Sequence, residues 1–599
     1  MPKFSDEVAN WLHENNYKCC FFVAGGNIMH LMESFSKKFL MVPVIHEVTA
    51  AIAADYFNEV NSESEGKAFA LVTLGPGVTN TTTGVMGSFL DSRELLLIAG
   101  QVKSEDLKRD GQRQRGIQEI DGISLFRNIS KATRRITEPI CREEFVSLIE
   151  NSKTARKGPV YIEICLDAQG AESIPGQNPV SGMSEISQID TKKLENNESD
   201  IAEICREIDK SKRPLFYIGG GVDRSLRIVL DKIEDLSIPV CTSWNAADRV
   251  DSSKRYFAGR PNLYGQRFAN IFLQQSDLIV IFGSSMGLQS TGFNFKDFAP
   301  GATIIQIDID PDVISSSNLK LDRSINGDAN NILIKVISYL RENAIVKNKS
   351  WVDYLNFLKE KLPIVENREA KVGYVNPFIF INKLTKQLGD DTNIIPCSSG
   401  GIYTSAMQVI EQNGKNIVIS SKGLGSMGYG LAGAIGACIA NQNQTILFEG
   451  DGGFAQNIQE IGVVSSQKLD LKIFVFNNDG YASIRSTQNR YFKGNLVGSN
   501  TRTGVKLPNL ELIARAFDIQ YFRINHEEEY ENIVLNDFKV RQPAIFEIII
   551  DPDLNYSPKI ESKLNKNGKM LSQALQHMVP EIESSIQAEI NQFLEKISE

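Results

Sequence analysis

Two short turns carry oxygen donors at matched places. Gly450-Asp451-Gly452 closes the apolar run ILF, and Asn477-Asn478-Asp479-Gly480 closes the run KIFVF about 25 residues later. Both runs read as buried strands, with a helix-like segment between them. In an open α/β sheet, ligands bind outside the carboxyl ends of the strands. Asp451 offers a carboxylate there and Asn478 an amide carbonyl. Hard oxygen donors in such small number suit Mg²⁺, which fills the rest of its octahedron with phosphate oxygens and water. Glycines around Asp451 let backbone N–H groups approach a phosphate, and a helix starting near Ala455 would add its positive end. Either turn alone is an ordinary tight-turn sequence. The pair, at two strand ends, reads as a clamp for Mg²⁺ and a diphosphate.

The elements that position these turns repeat along the chain. The protein has 599 residues, 42% hydrophobic and 23% charged, which predicts about three or four domains. Apolar strands alternate with helical segments in three sets: CCFFVAGG, FALVTLGPG, LLLIAGQV and PVYIEICLD; then LFYIGGGV, IPVCTSW, DLIVIFGSS and TIIQIDIDP; then NIIPCSSGG, NIVISSKG, TILFEGDGG, LKIFVFNND and AIFEIIIDPD. Such strands imply parallel sheets covered on both faces, hence an α/β chain of three doubly wound domains. Polar segments at 182–200 and 342–377 read as connections. Net charge is −9 with no basic block, which argues against a nucleic-acid partner. The N-terminal segment is an amphipathic helix rather than a signal peptide, and GYGLAGAIGACIA is too short to span a bilayer. Eight scattered cysteines without a C-x-x-C pair fit reduced thiols in a cytoplasm, and five histidines make a His-rich metal site improbable.

The GDG turn followed by NN resembles the motif of thiamine diphosphate enzymes. From residue 1 to about 560 the chain is similar to their acetolactate synthase and pyruvate oxidase branch, through GPGVTNTTTGVMGSFLDSRELLLIAGQV (75–102), SKGLGSMGYGLAGAIGA (421–437), RPLFYIGGGV and IIQIDIDP. The resemblance implies a pyrimidine-binding domain at 1–180, a central domain at 195–345 with room for FAD, and a diphosphate- and Mg²⁺-binding domain at 370–555. A C-terminal tail and helix follow at 556–599, the helix starting near Val579. Glu47, in VIHEVTAA, matches the glutamate that hydrogen-bonds the thiamine pyrimidine and favours its imino form. Gly425 and Met427 match the segment clamping that ring, where an unbranched, polarizable side chain suits a wedge under the bent cofactor. Asp451, Asn478 and the Gly480 carbonyl match the Mg²⁺ ligands. Gly452 and Gly453, the Ser399-Gly400 turn, Asn478 and Tyr481 match the remaining cofactor contacts, and Gln118 matches a glutamine facing the reacting carbon. The family places Glu47 and the diphosphate site on different subunits, so a homodimer or homotetramer with interfacial active sites is implied.

The implied reaction is decarboxylation of pyruvate or a similar 2-keto acid and transfer of its acyl unit to a carbonyl acceptor. His46 stands alone where relatives that release an aldehyde carry paired histidines, which favours carboligation. Gln289, in GSSMGLQSTG, stands where acetolactate synthases carry an arginine for the acceptor carboxylate, and a neutral amide cannot replace a bidentate guanidinium. NNDGYASIRSTQNRYF and the tail NYSPKIESKLNKNGKMLSQALQHMVP resemble thiamine enzymes of surface-polysaccharide pathways, which implies a nucleotide-linked keto-sugar as the other acceptor. Arg485 and Arg115 are then the candidate acceptor ligands. A flavin-dependent pyruvate oxidase, a thiamine-dependent C–C hydrolase and an inactive cofactor-binding subunit are the alternatives.

Overall fold

The computed structural model describes residues 2–61, 64–173, 198–347, 349–366, 371–530, 538, 540–564 and 570–598. Most of the connection read at 182–200 lies outside the described residues. Three α/β domains are present, each built on a parallel sheet. The first sheet contains β1 (Tyr17–Phe22), β2 (Leu40–Pro43), β3 (Lys67–Val72), β4 (Leu95–Gln101), β5 (Ala132–Ile136) and β6 (Pro159–Cys165), in the order β2-β1-β3-β4-β6-β5. The second contains β7 (Pro214–Ile218), β8 (Val240–Thr242), β9 (Leu278–Phe282), β10 (Thr303–Asp308) and β11 (Arg323–Asn326), in the order β11-β10-β9-β7-β8. The third contains β12 (Asn393–Ile395), β13 (Ile417–Val418), β14 (Thr445–Gly450), β15 (Leu471–Asn477), β16 (Gln520–Ile524) and β17 (Ala544–Ile549), in the order β13-β12-β14-β15-β17-β16. The first and third sheets thus share one strand order.

The chain forms two compact units. One unit comprises residues 1–188, 392–400 and 419–549. Here β3 and β4 are buried along their whole length, as strands covered on both faces must be. Helix Glu47–Val60, which follows β2, packs against helix Tyr429–Asn441. The contact is backbone-close, because a Cβ added at Gly436 would strike the carbonyl of Ala53, and one at Gly433 would lie 2.6 Å from the Tyr56 ring. The alanines Ala50, Ala51, Ala53 and Ala54 on the facing helix are all fully buried.

The other unit comprises residues 189–391, 401–418 and 550–599. Its sheet separates two apolar cores: Phe216 and Ile218 of β7 point into one, Leu215 and Tyr217 into the other. The segment 342–377, read from sequence as a connection, carries the helix Lys349–Lys361, whose Trp351, Tyr354, Leu355 and Leu358 are buried in the second of these cores. The tail joins the same core through Ile560, Leu575, Met578 and Ile590. Its helix spans Ser584–Ser598 rather than starting near Val579, because Met578–Val579 is a strand paired antiparallel with Lys559–Ile560. Among the described residues, no helix is long and apolar enough to cross a membrane.

Candidate active site

The strand order of the third sheet reverses between β12 and β14, and the candidate residues cluster there. Ser399 and Gly400 follow β12, Asp451 follows β14, and Asn478 follows β15, which pairs with β14 in parallel. The helix expected near Ala455 begins instead at Asp451 and ends at Ala455, with Gly450 as its N-cap. Asp451 is buried, and its carboxylate gathers the clamp. Oδ2 accepts the Asn478 N–H at 3.1 Å and the Gly480 N–H at 2.9 Å, while Oδ1 accepts the Gly452 N–H at 2.8 Å. Burial pushes its carboxyl up to about 6, although those three N–H groups favour the anion. The ring of Tyr481 lies over Gly452, where any Cβ would strike it. Behind the turn sits Glu449, almost fully buried and pushed up by burial to about 8. It accepts the Gly450 N–H at 3.2 Å and leaves no room for a Cβ at Gly430 or Gly453.

Gly425 adopts the left-handed conformation, φ +64°, beside the Ser398 carbonyl. That backbone shape is strained for any side chain, so glycine suits this position. Met427 is 39% exposed, and Gln456 Nε2 donates to its sulfur at 3.7 Å. Its side chain is available to a ligand rather than packed in a core.

Glu47 is the first residue of its helix, with His46 as N-cap. The His46 Nδ1 accepts the Val48 N–H at 3.2 Å, and Glu47 Oε2 accepts from Asn80 Nδ2 at 2.9 Å. Asn80 ends the Pro76–Asn80 helix of the glycine-proline turn. The exposed Gln118 sits against the same turn, since a Cβ on Gly75 would strike its carbonyl. Gln118 has φ +62°. The neighbouring Glu119 holds this loop in shape by accepting N–H groups from Lys108, Arg115 and Gly116 at 2.6, 3.0 and 2.9 Å. Glu47, Asn80 and Gln118 are therefore brought together around one turn. Asn80 and Glu119 escaped the sequence reading, although both lie inside or beside segments it singled out.

The acceptor candidates fare differently. Arg485 is buried, and its guanidinium donates to the carbonyls of Asn478 at 2.6 Å, Asp479 at 2.8 Å and Ser499 at 3.1 Å. It holds the clamp loop from behind, which replaces the expectation of a cation presented to an acceptor. Arg115 is exposed and donates to the Glu105 carbonyl at 2.7 Å. Gln289 is exposed on the loop after β9. In the central sheet the glycine turn 219–221 packs backbone to backbone on Gly283 at the β7–β9 switch point. Packing of two turns accounts for those glycines, and they lend a flavin no support of their own.

A buried carboxylate between two strand ends at a sheet switch point, with a separate glutamate on a helix start, fits the thiamine-enzyme resemblance, and comparison with known families agrees. The chain belongs to the thiamine pyrophosphate enzymes: the N-terminal TPP binding domain of that family matches residues 2–125, the central domain 201–336 and the C-terminal TPP binding domain 399–548. Within it, the chain is acetolactate synthase-like. It is 27% identical over 561 residues to a probable acetolactate synthase large subunit of Methanocaldococcus jannaschii, covering 92% of each chain. To the acetolactate synthase large subunit of Corynebacterium glutamicum it is 27% identical over 580 residues, covering 93% of this chain and 88% of the relative. To the chloroplastic acetolactate synthase of Arabidopsis thaliana it is 26% identical over 575 residues, covering 94% and 83%.

The residues present fit Mg²⁺ and the diphosphate. Asp451 Oδ1 accepts a single N–H, which leaves it a lone pair for a cation. The charge that burial disfavours is the one a dication would offset.

Proposed function

We propose that the protein is a Mg²⁺-dependent thiamine diphosphate carboligase that decarboxylates pyruvate or a similar 2-keto acid and passes the acyl unit to a carbonyl acceptor. The observation carrying this reading is the Asp451 carboxylate gathering the amides of Asn478 and Gly480, so that the ends of β14 and β15 form one clamp. Bound cofactor supplies a carbon nucleophile and an electron sink for decarboxylation. Asp451, Asn478 and the Gly480 carbonyl hold the metal; Gly452, Gly453, Ser399, Gly400 and Tyr481 line the diphosphate. Gly425 and Met427 grip the pyrimidine, and Glu47 bonds its ring nitrogen and sets its tautomer. Gln118 faces the reacting carbon. The active sites lie between subunits of a homodimer or homotetramer, Glu47 coming from one chain and Asp451 from the other.

The acceptor is a second 2-keto acid or a nucleotide-linked keto-sugar. Similarity to acetolactate synthases supports the former, and the neutral Gln289 supports the latter. Mass spectrometry of products from pyruvate, offered with 2-keto acids and with nucleotide keto-sugars, separates them. A product joining two carbonyl compounds is expected. Hydrogen peroxide formation together with a flavin's visible absorbance would replace the carboligase by an oxidase. Glu47→Gln is expected to lower turnover by about 10²–10⁴-fold while Mg²⁺–diphosphate binding persists. Unchanged turnover in that variant would overturn the assignment of Glu47.

A further inference from the structure

The turn Ile458–Glu460 lies a few residues beyond the diphosphate clamp, in the sequence NIQE. Its side chains reach a part of the chain more than 400 residues away. Glu460 is fully buried, and its carboxylate accepts the Ile45 N–H at 3.2 Å through Oε2 and the His46 N–H at 2.9 Å through Oε1. Asn457, also buried, donates from Nδ2 to the Thr49 hydroxyl at 2.9 Å. Gln459 donates to the Asn457 Oδ1 at 2.5 Å and so fixes the orientation of that amide. The three gripped residues, 45, 46 and 49, bracket Glu47.

Burying a carboxylate is costly unless its lone pairs are satisfied. Glu460 meets that condition with two backbone amides that precede the helix. It therefore restrains the entry to the helix, while His46 caps the helix itself and Asn457 holds its first turn. A one-ångström error in placing a catalytic group can cost about 100-fold in rate. From this geometry we propose that Glu460 and Asn457 are positioning residues that fix the carboxylate of Glu47 for cofactor activation. The inference rests on the reading of Glu47 given above. It makes NIQE a strut within one chain, between the diphosphate segment of one site and the glutamate that serves the paired site.

The test uses the full-length chain and two readouts. In the cofactor-free protein, backbone hydrogen exchange read by mass spectrometry should show residues 45–49 exchanging faster in Glu460→Gln, with β14 and β15 unchanged. In the protein loaded with Mg²⁺ and thiamine diphosphate, exchange of the thiamine C2 proton for deuterium should fall by about 100-fold, while the half-saturating cofactor concentration stays at the wild-type value. Asn457→Ala and Thr49→Val, which leave the two backbone bonds of Glu460 to residues 45 and 46 in place, should give smaller losses and serve if Glu460→Gln does not fold. Wild-type C2 exchange in folded Glu460→Gln would overturn the proposal, as would a loss that merely follows cofactor occupancy. Glu47→Gln is run in parallel. If it alone slows C2 exchange, the strut is wrong and the reading of Glu47 stands. If it exchanges at the wild-type rate, the reading of Glu47 is the one that fails.

Discussion

Asp451 shows how much chemistry one carboxylate can carry. Its Oδ2 ties the β15 turn to the β14 turn, while Oδ1 keeps capacity for a cation. Burial lifts its carboxyl from 3.8 to about 6. The sign follows: in the metal-free chain the buried acid binds its proton more tightly than in the unfolded chain, so the stability this provides is lost as pH rises through about 6. Below that pH a metal must displace the proton. We expect Mg²⁺ affinity to be flat above about pH 7 and to fall by about tenfold per pH unit below about pH 6, measured by calorimetric titration in the presence of thiamine diphosphate. Asp451→Asn should flatten this profile; an unaltered slope would show that another group titrates. Asp451 and Asn478 were legible because both stand at the ends of obvious apolar runs. Glu460 was not, since its two amide partners lie 414 and 415 residues away and its own segment reads as an ordinary helix. Arg485 was misread because an arginine beside a substrate loop looks the same in sequence whether it faces solvent or the loop's own carbonyls.

At the scale of elements, burial decided which strands could be seen. The central strands are apolar along their length, and their runs mark them. Three strands missing from the sequence reading, ATRRI (β5), RSIN (β11) and QYFRI (β16), lie at sheet edges and have a single partner each. Edge positions tolerate polar and charged side chains, so the apolar signal vanishes there while the backbone pairing remains. Helix packing was equally hidden. GYGLAGAIGACIA announces small residues but not what they approach; the structure supplies Ala53 and Tyr56. In an exposed helix, Gly→Ala would be favourable by about 1 kcal/mol. At Gly436 the Ala53 backbone stands in the way, so Gly436→Ala should instead destabilise the chain by about 1–3 kcal/mol. Denaturant unfolding measures this, and a gain in stability would refute the close approach.

For the molecule as a whole, the shared strand order of the first and third sheets sets two similar sheets in one compact unit, joined through helices Glu47–Val60 and Tyr429–Asn441. If the proposed site joins Glu47 of one subunit to Asp451 of another, two inactive variants can complement. Co-expressed Glu47→Gln and Asp451→Ala chains would then assemble mixed oligomers in which one of two paired sites has both wild-type residues. Activity in the purified mixed oligomer, absent from each variant alone, is the expected outcome. No recovery would place both residues in a single chain's site.

The tail's place in the central core also has a bearing on biosynthesis. Phe593 stacks on Phe357, 4.9 Å between ring centroids, and packs with Tyr354. On a ribosome adding about 5–20 residues per second, roughly 240 residues must emerge between one ring and the other. For tens of seconds, therefore, the nascent protein carries an apolar surface whose cover has not yet been made. The segment 560–598 acts as a latch, and chains released before it is made would offer chaperones and proteases a ready handle.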